Sequence, residues 1–239
     1  ARVIEESDRL KTAILSSVSH ELRTPLASIQ AAASSLFDPT LTFEPEARSD
    51  LQALLVEEVE HLTQLVGNLL NMSRIEAGAL KLQLQWNSLT EIADTAIRRL
   101  RRTAPRQDIR QEVPDDLPLV NVDQVLMEQV FINLISNSLK FAPSNTPLCF
   151  SAEGVDGAMR ATVSNQGPPI PPDYIEHIFE KFYLIPGQNR TQGTGLGLSI
   201  CKGIVEAHGG KIWAENIAGG VAFKFSLPAF HPQPRAEAE

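Results

Sequence analysis

His20 stands in the run Ser19-His20-Glu21-Leu22-Arg23-Thr24-Pro25. Val18 and Leu22 flank it four residues apart, the spacing of a buried helical stripe, so His20 between them is expected to face solvent. A lone histidine is most often an ordinary surface or core residue, but these neighbours give it a chemistry. A neutral imidazole becomes a directed nucleophile when one ring nitrogen is held and the other is left open. Glu21 can orient the ring and accept the Nδ1 proton, which leaves Nε2 for in-line attack. Thr24, one turn on, can hold a water or an acyl-phosphate partner beside the ring. Since no Cys, His or Asp cluster accompanies it, the site points away from metal ligation.

A second constellation lies far along the chain. Asn133 and Asn137 are four apart and share one helix face, with Lys140 a further turn along. Amide oxygens can ligate Mg²⁺ without adding charge, and the lysine can meet phosphate oxygens, although the same pattern also suits a plain polar helix face. Gly193-Thr194-Gly195-Leu196-Gly197-Leu198 then runs straight into a helical pattern. Glycines at a helix start let backbone N–H groups close on a phosphate. No strand precedes this run, which excludes a dinucleotide fingerprint, and no GK[ST] follows, which excludes a P-loop.

The elements that must carry these groups are legible from periodicity. Residues 3–36 read as one long helix interrupted by Pro25, where a lost hydrogen bond predicts a kink. Residues 37–45 read as a loop, and residues 46–75 as a second long helix ended by Gly78. Two such rods with apolar stripes predict a helical hairpin that pairs with a second copy into a four-helix bundle, hence a homodimer. The alternative is a hairpin lying on the domain that follows. Beyond Gly78 the composition shifts. A strand at residues 81–86, a helix at Leu89–Leu100, and strands at 109–113 and 119–122 are expected, followed by a helix from Asp123, as its N-cap, to Phe141. Strands at 148–152 and 159–164, helices at 172–181 and 196–208, and strands at 211–215 and 222–227 complete an α/β sandwich lacking the parallel crossovers of a doubly wound fold. The expected division is 1–78, 79–228 and a disordered tail over 229–239.

Composition sets bounds on partners. The 239 residues are 43% hydrophobic, and 21 Lys and Arg against 29 Asp and Glu give a formal charge of -8. That balance argues against nucleic acid as a partner. Cys149 and Cys201 lack CxxC spacing and read as small buried or half-buried hydrophobes in a reducing compartment, with a lone disulfide as the lesser alternative. The sequence contains no apolar run of membrane-spanning length and no signal peptide. Because Ala1 already lies in a helical pattern, the chain is expected to be a cytoplasmic piece of something longer, with room elsewhere for a sensor or an inner-membrane anchor.

Five ordered motifs resemble those of the two-component sensor histidine kinases, over residues 7–227. The His20 run resembles the H box, which implies His20 as phosphoacceptor, Glu21 as general base and Thr24 as the residue serving dephosphorylation of the partner. Asn133-Leu134-Ile135-Ser136-Asn137-Ser138-Leu139-Lys140-Phe141 resembles the N box. It implies Asn137 as the Mg²⁺ ligand, with Asn133, Lys140 and Phe141 (where Tyr is usual) beside the nucleotide. Asn165-Gln166-Gly167-Pro168-Pro169-Ile170 resembles the first glycine box and implies Asn165, Gly167 and Ile170 around adenine. The run from Ile178 to Tyr183 resembles the F box, with Lys181 toward the nucleotide. Residues 193–197 resemble the second glycine box, continuing to Leu198, and residues 184–192 would form a lid. The resemblance implies a helical-hairpin dimer followed by the ATP-binding sandwich also seen in gyrase-like ATPases and Hsp90-like chaperones. It also implies ATP and Mg²⁺ as cofactors and a response regulator receiver domain as partner. The wording of residues 16–26 and 203–216 is similar to that of potassium-responsive sensor kinases, among several branches that share it.

Two departures bear on function. Asn165 stands where the family has Asp, exchanging a charge-assisted hydrogen bond to adenine for a neutral one, so weaker ATP binding is expected. Leu184 stands where Arg is common, and Arg190 is expected to supply the positive charge of the lid. These departures define the rival, a non-catalytic scaffold that only docks a regulator. A plain ATPase of the gyrase or chaperone kind would carry a general-base Glu where this chain has Asn133.

Overall fold

The computed structural model describes residues 2–101, 108–143, 146–185, 195–228 and 230–231, with side chains from residue 18 to 228. The chain divides into two compact units, Ala1–Asn71 and Met72–Glu239.

The first unit is built from two long helices, α1 (Arg2–Phe37) and most of α2 (Pro45–Glu76). At 1.5 Å per residue they extend about 54 and 48 Å. The turn between them is held by Asp38, whose Oδ1 accepts from the Thr40 N–H at 2.8 Å and the Thr40 hydroxyl at 2.6 Å. These two bonds hold the Asp38 carboxyl below its ordinary pKa. Ala32 and Leu65 are buried, whereas Leu26, Val56, Val59, Val66 and Leu70 remain exposed. The apolar stripe of this unit is therefore only partly covered by its own chain. Pro25 lies inside α1 and is buried, and it offers no N–H to the Glu21 carbonyl one turn back.

The second unit is a two-layer α/β domain. Its main sheet has the order β2 (Ile109–Glu112), β4 (Leu148–Val155), β5 (Ala158–Gln166), β7 (Gly220–Pro228), β6 (Lys211–Ile217). Among the described residues the β2–β4 pair is parallel and the other pairs of this sheet are antiparallel. A smaller sheet orders β1 (Gln85–Asn87), β3 (Leu119–Val122) and β8 (Phe230–His231), all antiparallel. Strand alternation turns Met159, Ala161 and Val163 of β5, with Phe223 and Phe225 of β7, toward the buried layer. There α4 (Gln124–Phe141) lies between α3 (Leu89–Leu100) and α5 (Gly197–Ala207). Phe131 of α4 is fully buried and meets Phe150 and Phe225 edge-on, with ring centroids 5.1 and 5.7 Å apart. The last turn of α2 also belongs to this unit, with Ile75 Cδ1 2.7 Å from where a Cβ on Gly203 would sit.

Three expectations differ from what forms. The helix expected over 172–181 is two short 3-10 turns, Pro172–Tyr174 and His177–Phe179. Glu180 is extended (φ -75°, ψ 151°) and Phe182 takes a positive φ of 59°, so the run is broken too early to sustain an α-helix. The strand expected over 81–86 is paired only from Gln85, because the Gln83 N–H goes to the Asp123 carboxylate at 2.9 Å rather than to a neighbouring strand. Within the tail expected to be disordered, Phe230 and His231 pair with Val120 and Leu119 of β3.

Both cysteines are free thiols, and Cys201 is fully buried, donating to the Val130 carbonyl at 3.6 Å. Burial pushes its pKa up to about 12. Because only the thiolate reacts, Cys201 is expected to resist maleimide at neutral pH in the folded protein and to label promptly in guanidinium, as intact-mass spectrometry would read out.

Candidate functional site

In the first unit His20 is exposed on α1, while Val18 and Leu22 on either side are half-buried. This is the orientation that the flanking stripe requires. Glu21 is half-buried beside it. The hydroxyl of Thr24 donates to the His20 backbone carbonyl at 3.3 Å, so Thr24 stands one turn along at the same azimuth. The helix thus presents an open imidazole next to a carboxylate and a hydroxyl.

The second unit brings the other motifs into one neighbourhood. Asn133 is buried on α4, and its Nδ2 donates to the Gly197 carbonyl at the start of α5, at 3.3 Å. Its Oδ1 accepts from Gln129 Nε2 at 3.0 Å, one turn earlier on the same helix. Asn137, the next residue on this face, is half-buried, with Lys140 exposed and Phe141 half-buried at the helix end. The Asn137 amide has no hydrogen-bond partner among the described residues, leaving its oxygen available to a cation. No cluster of three acidic, His or Cys side chains able to hold a metal exists among the described residues. A Mg²⁺ ion fits this donor set only when most of its ligands come from phosphate oxygens and water, with Asn137 Oδ1 as the protein's contribution.

The first glycine box folds against the end of α4. Gly167 adopts a φ of +150°, and a Cβ there would sit 2.8 Å from the Phe141 carbonyl oxygen and 3.4 Å from Asn165 Nδ2. Asn165 is buried at the end of β5, with its Nδ2 donating to the Gln166 carbonyl at 2.8 Å. That bond commits the amide nitrogen and leaves Oδ1 as the acceptor. Ile170 is held by a reciprocal pair, its N–H donating to Asn216 Oδ1 and its carbonyl accepting from Asn216 Nδ2, both at 2.8 Å.

The F box and second glycine box meet at the base of the segment expected to be a lid. The Phe182 N–H donates to the Gly195 carbonyl at 3.1 Å, and a Cβ on Gly195 (φ +67°) would sit 2.7 Å from the Phe182 carbonyl carbon. Leu196 is buried and Leu198 half-buried at the α5 start. Lys181 pairs with Glu76 at 2.7 Å. His177 shares a proton with Glu180 at 2.6 Å and packs on Tyr183 with centroids 5.7 Å apart; the Glu180 bond raises its pKa. Arg190, Gly193 and Thr194 lie outside the described residues.

Sequence reasoning missed Gln129, Asn216 and Glu76. Gln129 was readable, since 129, 133 and 137 continue one i, i+4 row. Asn216 was not, because only the pairing of distant strands brings it to Ile170.

Two family models match this chain: the His Kinase A (phospho-acceptor) domain over residues 10–78, and the histidine kinase-, DNA gyrase B- and HSP90-like ATPase over residues 122–231. Among curated relatives, sensor protein KdpD of Clostridium acetobutylicum is 34% identical over 95% of this chain and 26% of its own length. The histidine-protein kinase BaeS of Escherichia coli is 36% identical over 95% of this chain and 49% of its own. The chain thus spans about a quarter to a half of these relatives. The solved catalytic domain of histidine kinase ThkA is 35% identical, with a TM-score of 0.56, covering 61% of this chain and 95% of that one. Full-length ShkA in complex with AMPPNP is 27% identical, with a TM-score of 0.64, over 91% of this chain and 46% of that one. ThkA in complex with the response regulator protein TrrA is 28% identical, with a TM-score of 0.61, over 94% and 64%.

The Phe182–Gly195 closure leaves no room for a side chain. Gly195→Ala is expected to lower the unfolding free energy by about 1–3 kcal/mol, read from urea titration. Gly157→Ala is the control, having a similar φ of +76° but nothing within 4 Å of its Cβ; its loss should be the smaller of the two.

Proposed function

The chain belongs to the sensor histidine kinases of two-component systems and carries their ATP-dependent catalytic core, and from that premise we propose that His20 is its phosphoacceptor. The observation that carries the assignment of the second site is the bond between Asn133 and Gly197, which joins the N box to the second glycine box. A nucleotide between them would meet amide groups of α4 on one side and the N-terminus of α5 on the other. Backbone N–H groups and the helix dipole there favour phosphate.

In the proposed reaction His20 Nε2 attacks the γ-phosphorus in line. The bond from that phosphorus to the bridging oxygen of the β-phosphate breaks, ADP leaves, and Glu21 takes the Nδ1 proton. Mg²⁺, when bound with the nucleotide, neutralises phosphate charge, and Asn137 is the residue assigned to it. Positioning and charge neutralisation supply most of the rate in such transfers. Asn165 Oδ1 would accept from the adenine amino group, with Gly167 and Ile170 shaping the base site beside Phe141. Lys181, Leu196, Leu198 and the lid residues Arg190, Gly193 and Thr194 are assigned to the phosphate side by motif position. Thr24 is assigned to hydrolysis of the partner's acyl phosphate.

The partner is proposed to be a response regulator receiver domain, as in the ThkA complex, taking the phosphoryl group from His20 onto an aspartate. The exposed apolar residues of α1 and α2, among them Leu26, Val59 and Leu70, support a homodimer through a four-helix bundle. No helix among the described residues is long and apolar enough to cross a membrane. The scaffold reading is not favoured, because the matched relatives are named as histidine kinases.

Incubation with γ-labelled ATP and Mg²⁺ is expected to give a label that acid removes and base spares. His20→Gln should abolish that label while ATP affinity, measured by calorimetry, stays within about twofold; surviving label would overturn the assignment of His20. Asn165→Asp restores a charged acceptor and is expected to tighten ATP by roughly tenfold, with an unchanged affinity removing Asn165 from the base site.

A further inference from the structure

We propose that His208 is a positioning residue for the nucleotide site, clasping the far end of α5 to the start of α4 so that the glycine box keeps its register on the N box. The inference rests on the assignment of α4 and α5 as the nucleotide helices.

Among the polar bonds between these helices, three mark successive levels. The Asp123 N–H donates to His208 Nε2 at 3.0 Å, the Cys201 thiol donates to the Val130 carbonyl at 3.6 Å, and Asn133 Nδ2 donates to the Gly197 carbonyl at 3.3 Å. Each step up α4 is matched by a step down α5, so the bonds are the rungs of one antiparallel register. The three rungs differ in strength. A thiol is a weak donor, and the Asn133 bond is long for an N–H···O contact. Asn133 also belongs to the site that the nucleotide must enter, so its amide is the rung most open to competition. The bond to His208, the shortest of the three, is left to fix the helix pair when the site end is occupied. From Asp123 to Asn133 the lever is about 15 Å long.

The geometry of His208 admits one form of the ring. Nδ1 lies 2.8 Å from the Ile204 carbonyl, which only accepts, so Nδ1 carries the proton. Nε2 is then the acceptor that the Asp123 N–H needs. The turn beyond leaves the ring no slack. Gly209 adopts a φ of +75° and donates to the Glu206 carbonyl at 2.9 Å, while a Cβ on Gly210 would run into the Ser226 carbonyl oxygen. Asp123 is fixed in its turn, because Oδ1 accepts from the Val125 and Leu126 N–H groups at 3.1 Å and Oδ2 from the Gln83 N–H at 2.9 Å. His208 therefore joins two rigid helix ends, each of which carries half of the site at its other end.

The test compares two amides at this position. His208→Gln places Oε1 where Nε2 stood and can accept from the Asp123 N–H; His208→Asn is one methylene shorter and cannot reach it. Calorimetry with ATP·Mg²⁺, well below each melting temperature, is expected to give the Asn variant about a tenfold weaker dissociation constant and the Gln variant one within about twofold of the unaltered chain. Labelling over a range of ATP concentrations should show the loss in KM, with the rate at saturating ATP unchanged. Equal affinities for all three proteins, even with a lowered melting temperature in the variants, would make His208 merely structural and overturn the proposal. An equal loss in both variants would overturn it as well, since the Asp123 bond would not be the cause. Should the Asn variant fail to fold, the Gln variant decides. Near-unaltered affinity with slow exchange of the Asp123 amide proton supports the clasp, and a tenfold loss despite that slow exchange overturns it. An unaltered chain that binds no nucleotide would instead overturn the assignment of α4 and α5 on which the clasp rests.

Discussion

The seating of Phe131 on the sheet is the constraint from which the second unit is organised. Its ring is fully buried and meets Phe150 on β4 and Phe225 on β7 edge-on. With that side of α4 committed to the core, the helical repeat turns Asn133 and Asn137 along a different row. Removing the ring would leave a cavity worth about 3–5 kcal/mol at the centre of the layer. It would also release the helix whose rotation sets the direction of both amides. The chemistry of the domain thus depends on an apolar contact that takes no part in it.

Around that anchor, polar groups are used where two elements must agree in register. Asn133 reaches Gly197, Asn216 grips both backbone groups of Ile170, and Phe182 donates to Gly195. Each bond is modest in net free energy, about 1 kcal/mol, but an unmade partner in such a site would cost more. Glycines mark the places where a Cβ would collide with backbone. Gly167 against Phe141 and Gly195 against Phe182 are both at positive φ, so the close approach and the backbone conformation make the same demand.

The first unit follows a different economy. Its helices leave Leu26, Val56, Val59, Val66 and Leu70 exposed while burying Ala32 and Leu65. A rod with so little core of its own is what the proposed pairing with a second copy would cover. On it the proposed phosphoacceptor has only local neighbours, since helix spacing puts Glu21 beside His20 and Thr24 one turn away. That local site was legible almost entirely from residue order, because side chains within one turn need no tertiary information to meet. The same holds for Asn133, Asn137 and Gln129, which share a row of α4, and for the Asp123 cap, whose Oδ1 accepts from residues 125 and 126 of its own helix.

What the sequence by itself determined was therefore most of the elements, the order of the motifs and the family they imply. Periods of 3.6 and 2 and the caps that interrupt them are properties of neighbouring residues. Only the tertiary structure decided which motifs touch. Gly167 against Phe141, Asn216 on Ile170, Gly195 under Phe182 and Asp123 on His208 join residues separated by many others in the chain. Their meeting is set by the strand order β2-β4-β5-β7-β6 and by the antiparallel packing of α4 with α5. Tertiary structure also overruled local pattern where a backbone donor was spent elsewhere, in the Gln83 N–H given to Asp123. A pattern of side chains reports which face an element can bury, whereas the partner that accepts each backbone hydrogen bond is fixed only when the chain has closed upon itself.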